Sequence, residues 1–142
     1  MKRILALFAA LAVIFTSASA FGFVQKFARF SVDVPEGWTA NQDGDTVILI
    51  KTDNTASMSI TVGDPQGMNK KALAEAFVKE LNGKNLERDD DGDYTFTMTN
   101  ANGVESLALL TGDDDDYALF VMTGLENAKD EMMAILGSVK DN

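Results

Sequence analysis

The sequence predicts an α+β fold, a mostly antiparallel six-stranded sheet with two helices in the order β-β-β-α-β-β-β-α. Three observations lead there. Several short stretches alternate apolar and polar residues, as strands with one covered face do. Asp43-Gly44 and Asn102-Gly103 are two-residue hairpin signals between such stretches. Two longer stretches space apolar residues at helical intervals, each after a run of hairpin-linked strands. That order argues against a doubly wound parallel sheet.

The first strand covers residues 30–34, where Phe30, Val32 and Val34 alternate with Ser31 and Asp33. Pro35 ends it, having no amide proton for a ladder. Glu36-Gly37 turns the chain, and Trp38 folds back over the core edge. Residues 46–51 follow the Asp43-Gly44 turn. Their continuous apolar run, Val47 to Ile50, predicts a central strand covered on both faces. Met58, Ile60 and Val62 mark a third strand, completing a meander. Gly63 to Gly67 breaks the strand pattern. Asn69 caps a helix reaching about Asn82, with the stripe Leu73, Ala76, Phe77 and Leu81 and with Gly83 as a left-handed C-cap. Lys70 and Lys71 sit at the positive end of its dipole, where nothing local favours them.

Tyr94, Phe96 and Met98 alternate with threonines in the fourth strand. Residues 104–111 return after Asn102-Gly103, and 117–123 form the last strand, apolar on both faces. A second helix spans about 126–139, with the stripe Ala128, Met132, Ile135, Leu136 and Val139. Phe21, Phe23, Phe27 and Phe30 crowd one segment and are expected to pack. The methionines Met58, Met98, Met122, Met132 and Met133 follow core faces and read as core filling, not as a copper(I) site.

Residues 1–20, MKRILALFAALAVIFTSASA, have the form of a secretory signal peptide. Lys2 and Arg3 start it, an apolar run follows at 4–15, and Ala18-Ser19-Ala20 offers small residues for cleavage between Ala20 and Phe21. The run falls short of the roughly 20 apolar residues of a membrane span. The expected product is a single domain, residues 21–142, that is periplasmic or secreted and has no integral membrane segment. Removing Lys2 and Arg3 leaves 10 basic against 22 acidic residues, taking the net charge from −10 to −12. That balance opposes nucleic acid and anionic lipid and suits a basic protein or a divalent cation.

The chain has no cysteine and no histidine. Disulfides, Ser-His-Asp and Cys-His nucleophile systems are therefore absent, and the usual zinc, copper and haem sites lack their commonest ligands. An enzyme would have to work with carboxylates or a tyrosine. Asp33 and Glu105 are the acids on strands, and both fit solvent-facing positions, which is unfavourable for an acid–base pair.

The segment from Phe30 to Trp38, FSVDVPEGW, resembles the opening strand of the Mog1/PsbP/DcrB-like superfamily, an alternating strand followed by Pro, then Gly or Asp, and Trp. The order of strands and helices after it is similar too. The resemblance implies a sandwich built on an antiparallel sheet. Members are mostly non-catalytic accessory or binding proteins, among them a factor acting on a small nuclear GTPase, an extrinsic subunit of photosystem II and bacterial envelope proteins. The leader places this chain nearest the envelope type, although it lacks the cysteine that anchors some of those to lipid. No site motif is shared, so no functional residue carries over.

Two acidic runs invite a calcium reading, so the cofactor expectation is none, with calcium the alternative. Setting Gly92 at the sixth position of an EF-hand loop puts Glu87, Asp89, Asp91 and Asp93 at the odd positions, but Met98 falls where a bidentate Glu is required. Asp113, Asp114, Asp115 and Asp116 repel one another and need water or a cation around them. Solvated turns explain both runs. The expected function is non-enzymatic: an accessory or binding protein acting through its surface on another protein or an envelope component. The alternative is a divalent-cation-binding protein using the acidic turns.

Overall fold

The structure is a computed structural model that describes residues 23–141. The signal peptide, its Ala20–Phe21 junction and Phe21 lie outside the described residues. Ten strands and two helices are present among the described residues. In order they are β1 (Phe23–Lys26), β2 (Phe30–Val34), β3 (Trp38–Asp43), β4 (Thr46–Lys51), β5 (Ser57–Gly63), α1 (Lys70–Leu81), β6 (Lys84–Arg88), β7 (Tyr94–Thr99), β8 (Glu105–Gly112), β9 (Tyr117–Thr123), α2 (Leu125–Ser138) and β10 (Lys140–Asp141).

The α+β class holds, and every pairing is antiparallel. The single six-stranded sheet does not. Seven strands form one sheet in the order β3-β4-β5-β9-β8-β7-β6, and β1-β2-β10 form a second, three-stranded one. β2 is thus not part of a meander with β4. Its place beside β4 is taken by β3, whose sequence WTANQD is mostly polar and mostly exposed. β3 and β6 are the sheet edges, where one side of the ladder needs no partner and polar residues are normal. Neither shows the alternation that marks a half-buried strand.

β9 is the central strand, and its two faces feed two separate cores. Ala118, Phe120 and Met122 join Val47, Leu49, Met58, Ile60 and Val62, covered by Phe30, Val32 and Val34 of β2 and by Ala128, Met132 and Ile135 of α2. On the opposite face Leu119 joins Ala108, Leu110, Tyr94 and Phe96, covered by Leu73 and Ala74 of α1. The two covers are offset. α1 packs on β6, β7 and β8, whereas α2 packs on β2 and β9. One face of β4–β5 and the opposite face of β7 therefore carry no helix. They present Thr46, Ile48, Ile50, Ser57, Ser59 and Thr61, and Thr95, Thr97 and Thr99 respectively. Ile48 and Ile50 are half-buried, so β4 is not the doubly covered central strand that its apolar run suggests; β9 holds that place.

The helices refine the sequence reading. Asn69 caps α1 as expected, its side chain accepting from the Ala72 amide at 2.8 Å. The left-handed C-cap is Asn82 (φ 57°), not Gly83. Asparagine tolerates that region better than other residues bearing a β-carbon. Gly83 answers a packing need: a Cβ there would press into the Phe96 ring at 2.6 Å. The buried stripe is Leu73 and Ala74, flanked by the half-buried Phe77 and Val78. Ala76 and Leu81 are exposed, so the helix is turned by part of a turn from the expected stripe. The α2 stripe holds for Ala128, Met132 and Ile135, which are buried, and for the half-buried Leu136, but the helix is kinked at Ala128 and Val139 is an extended residue just past its end.

Phe27 and Phe30 pack against each other in the first core. Met58, Met122 and Met132 are core residues and Met98 is half-buried, whereas Met133 is exposed. Trp38, the one tryptophan of the chain, is buried, and its Nε1 donor has no hydrogen-bond partner.

The offset arrangement makes neighbouring isoleucines unequal. Ile60→Ala should cost about 2–5 kcal/mol, as other truncations of a fully buried side chain do. Ile48→Ala, on the uncovered face, should cost clearly less. Urea midpoints of the two variants measure this, and equal losses would contradict the packing described.

Candidate functional site

The antiparallel register decides where the acidic turns go. Tyr94 stands opposite Leu110, and Gly112 opposite Tyr117, so the β6–β7 turn and the β8–β9 turn leave the same end of the sheet. Gly63 also stands opposite Tyr117, and Thr61 opposite Thr46, which brings Asp64 and the turn 43–45 to that end. Half of the chain's 22 acidic residues thus gather at one end.

The carboxylates there have structural work. Asp89 Oδ1 accepts the amides of Asp91 and Asp93 at 2.9 and 3.0 Å, closing its own turn. Asp113 Oδ1 does the same for Asp115 and Asp116 at 2.9 and 3.2 Å. The remaining Oδ2 of Asp113 is buried without a partner. Asp93 takes Lys70 Nζ at 3.1 Å, which supplies the reason for a lysine at the α1 N-terminus. Asp116 takes Arg29 at 3.4 Å. Asp91, Asp114 and Asp115 are exposed. No group of three or more carboxylates among the described residues is placed to hold a metal ion. Tyr117 stands at the same end, edge-on to Phe77. Burial first, then the charge of Asp45, pushes its hydroxyl above the ordinary tyrosine value.

The opposite end carries an open groove of about 710 Å³ that no local motif announces. It forms because the register aligns Ile50 with Ser57 and Ser57 with Thr123, placing the β4–β5 turn beside the start of α2 and the start of β8. Asn54, Thr55, Ser57 and Thr123 line it with Asn127, and Glu105 and Glu126 are its charged residues. Two contacts fix its walls. Asn127 Nδ2 donates to the Thr55 carbonyl at 2.9 Å. Gly124 (φ 76°) lies so close that a Cβ would collide with that same oxygen.

Asp53 holds the groove's turn in shape. Its Oδ1 accepts the Thr55 hydroxyl at 2.6 Å and the Thr55 amide at 3.0 Å. These bonds, the hydroxyl's first, hold its carboxyl below the usual range. A depressed folded value contributes stability above the unfolded pKa, lost as pH falls through the folded one. Nearby, the Glu131 carboxylate at 3.0 Å raises the Lys51 ammonium. That contribution is full below the unfolded lysine value and fades as pH rises through the folded one.

Thr55→Val should let the Asp53 carboxyl climb toward its ordinary 3.8. An NMR titration of Asp53 reads this directly, and an unmoved midpoint would contradict the assignment. Calcium at millimolar concentration should leave the melting temperature unchanged if the acidic turns are solvated, self-closed bends; a rise would support the cation-binding alternative.

No protein-family model matches the sequence, and no curated protein does. Solved structures match by shape. The solution structure of cyanobacterial PsbP (CyanoP) from Synechocystis sp. PCC 6803 superposes with a TM-score of 0.59 at 15% identity, over 93% of this chain and 99% of that one. A crystal structure from Bacteroides thetaiotaomicron VPI-5482 matches with a TM-score of 0.51 at 15% identity, over 80% of this chain and 45% of that one. The chain has a PsbP-like fold.

Proposed function

We propose that this protein is a non-enzymatic accessory domain, exported to the periplasm or beyond, that binds a basic surface on another protein or envelope component through its acidic end. The observation that carries the reading is the gathering of the turns at 43–45, 89–93 and 113–116, with Asp64, on one end of the sheet. So many like charges project a field that steers a positively charged partner and disfavours nucleic acid. The pairs Lys70–Asp93 and Arg29–Asp116, with Arg88 beside Gly92, offset part of it and leave acidic residues in excess.

Two further observations support the reading. No aspartate, glutamate, lysine or arginine is buried as a whole residue among the described residues, although the single Oδ2 atom of Asp113 is shielded from water. Acid–base chemistry on carboxylates generally relies on one acid held in an apolar pocket, and nucleophiles rely on a neighbouring base. The leader at residues 1–20 supports export.

A pull-down from envelope extract tests the proposal. At low ionic strength the protein should retain a basic partner and release it at about 0.5 M salt, where screening shortens the reach of the field to a few ångströms. The variant Asp113→Asn, Asp114→Asn, Asp115→Asn, Asp116→Asn should retain markedly less of it. Salt-insensitive capture, equal capture by the variant, or substrate turnover by the purified protein would overturn the reading.

A further inference from the structure

Asparagine followed by glycine is the dipeptide most prone to close on itself. The glycine has no side chain to shield its nitrogen and adapts its backbone freely. The chain has two such pairs, Asn82-Gly83 and Asn102-Gly103, and the fold treats them differently. Asn82 is the C-cap of α1, held at φ 57°. Its amide and that of Gly83 both reach the Val78 carbonyl, the latter at 2.7 Å. Gly83 is also wedged against the Phe96 ring of the second core. Freeing the Gly83 nitrogen means unwinding the end of α1 and disturbing that core. Asn102 stands instead in the loop 100–104 between β7 and β8, where every residue from Thr99 to Glu105 is exposed. A Cβ at Gly103 would touch nothing. The bonds that close this loop are local. Gly103 donates to the Asn100 carbonyl at 3.0 Å, and the Asn102 and Val104 amides donate to Asn100 Oδ1 at 2.8 and 3.0 Å.

We propose that Asn102 is a site of spontaneous deamidation in the folded protein, and that the fold protects Asn82 from the same reaction. The Gly103 nitrogen gives its proton to hydroxide and attacks Cγ of Asn102. The N–Cγ bond forms, the Cγ–Nδ2 bond breaks, and ammonia leaves with a proton taken from water. Water then opens the cyclic imide. Breaking the new N–Cγ bond leaves an ordinary aspartate. Breaking the original peptide bond leaves isoaspartate, whose main chain runs through the side-chain carbon. Either product adds a carboxylate at the tip of the β7–β8 hairpin, next to Val104 and Glu105 of the groove and away from the acidic turns. The rate follows how often the glycine nitrogen is released. A loop tip held by local bonds opens at low free energy, and a cap packed on a core does not. The site is independent of the acidic end and stands whether or not that end has a partner.

The test is mass spectrometry of the purified protein incubated at mildly alkaline pH, folded in one sample and in concentrated urea in another. Tryptic peptides 80–84 and 89–129 report the two pairs, with fragment ions placing the change at Asn102. In the folded protein, amide-to-acid conversion should accumulate at Asn102 at least about tenfold faster than at Asn82. In urea, where cap and core are gone, the two rates should converge. The Asn102 product should separate into aspartate and isoaspartate forms. Asn100→Ala, which removes the acceptor of two loop amides, should speed conversion at Asn102 and leave Asn82 as it was. Equal rates in the folded protein, faster conversion at Asn82, a tenfold gap that persists in urea, or an Asn100→Ala variant no faster than its parent would overturn the proposal.

Discussion

Burial of β9 on both faces is the constraint from which the rest of the architecture follows. A strand apolar on alternate sides cannot leave either side to water, because each fully buried Leu or Phe side chain represents roughly 1.5–3 kcal/mol of transfer free energy. Leu119 therefore needs one cover, and Ala118, Phe120 and Met122 need another. α1 supplies the first and α2 with the small sheet the second. Neither cover is wide enough for seven strands, so they settle on opposite faces and opposite halves of the sheet. The uncovered quarters carry serine, threonine and two half-buried isoleucines, and the threonine and serine hydroxyls pair across strands, as Thr46 with Thr61 at 2.7 Å and Ser106 with Thr123 at 2.6 Å.

The same strand organises the two ends. Because β9 lies between β5 and β8 in antiparallel register, the turns of the flanking hairpins fall alternately at its two ends. One end receives the aspartate-rich turns, the other the groove of Asn54, Thr55 and Asn127. Aspartates concentrate in these turns for a local reason: the carboxylate of Asp89, Asp113 or Asp53 accepts the backbone amide two residues on and stabilises the bend. The collective charge of the acidic end is thus the sum of individually useful turn residues, and the sheet register turns that sum into a surface.

Much of this was legible in the sequence wherever a residue's neighbours in the chain determine its environment. The alternation at 94–99, the doubly apolar run at 117–123 and the Asn69 cap appear where expected, and a hairpin does turn at Asn102-Gly103, though through a loop longer than two residues in which Gly103 and not Asn102 takes a positive φ. The edge strands were not legible, because β3 and β6 need no apolar alternation, and β10 is two residues long. The apolar run of β4 misleads because Ile48 and Ile50 face an uncovered quarter; only the position of α1 shows that. The seven candidate carboxylates Asp89, Asp91, Asp93, Asp113, Asp114, Asp115 and Asp116 are found in turns at one end, as the pattern allowed but did not require. The groove has no sequence signature, since its lining comes from three separated segments joined by register alone. Lys70, which nothing local favours at a helix N-terminus, is explained by Asp93, 23 residues away.

Native-state hydrogen exchange tests the central claim, that one doubly buried strand holds both cores together. The amides of Ala118, Phe120 and Met122 should exchange only through global unfolding, while those of β3 and β6 open at lower free energy. Exchange of β9 amides as fast as those of the edge strands would contradict it, since the two cores would then be free to open separately.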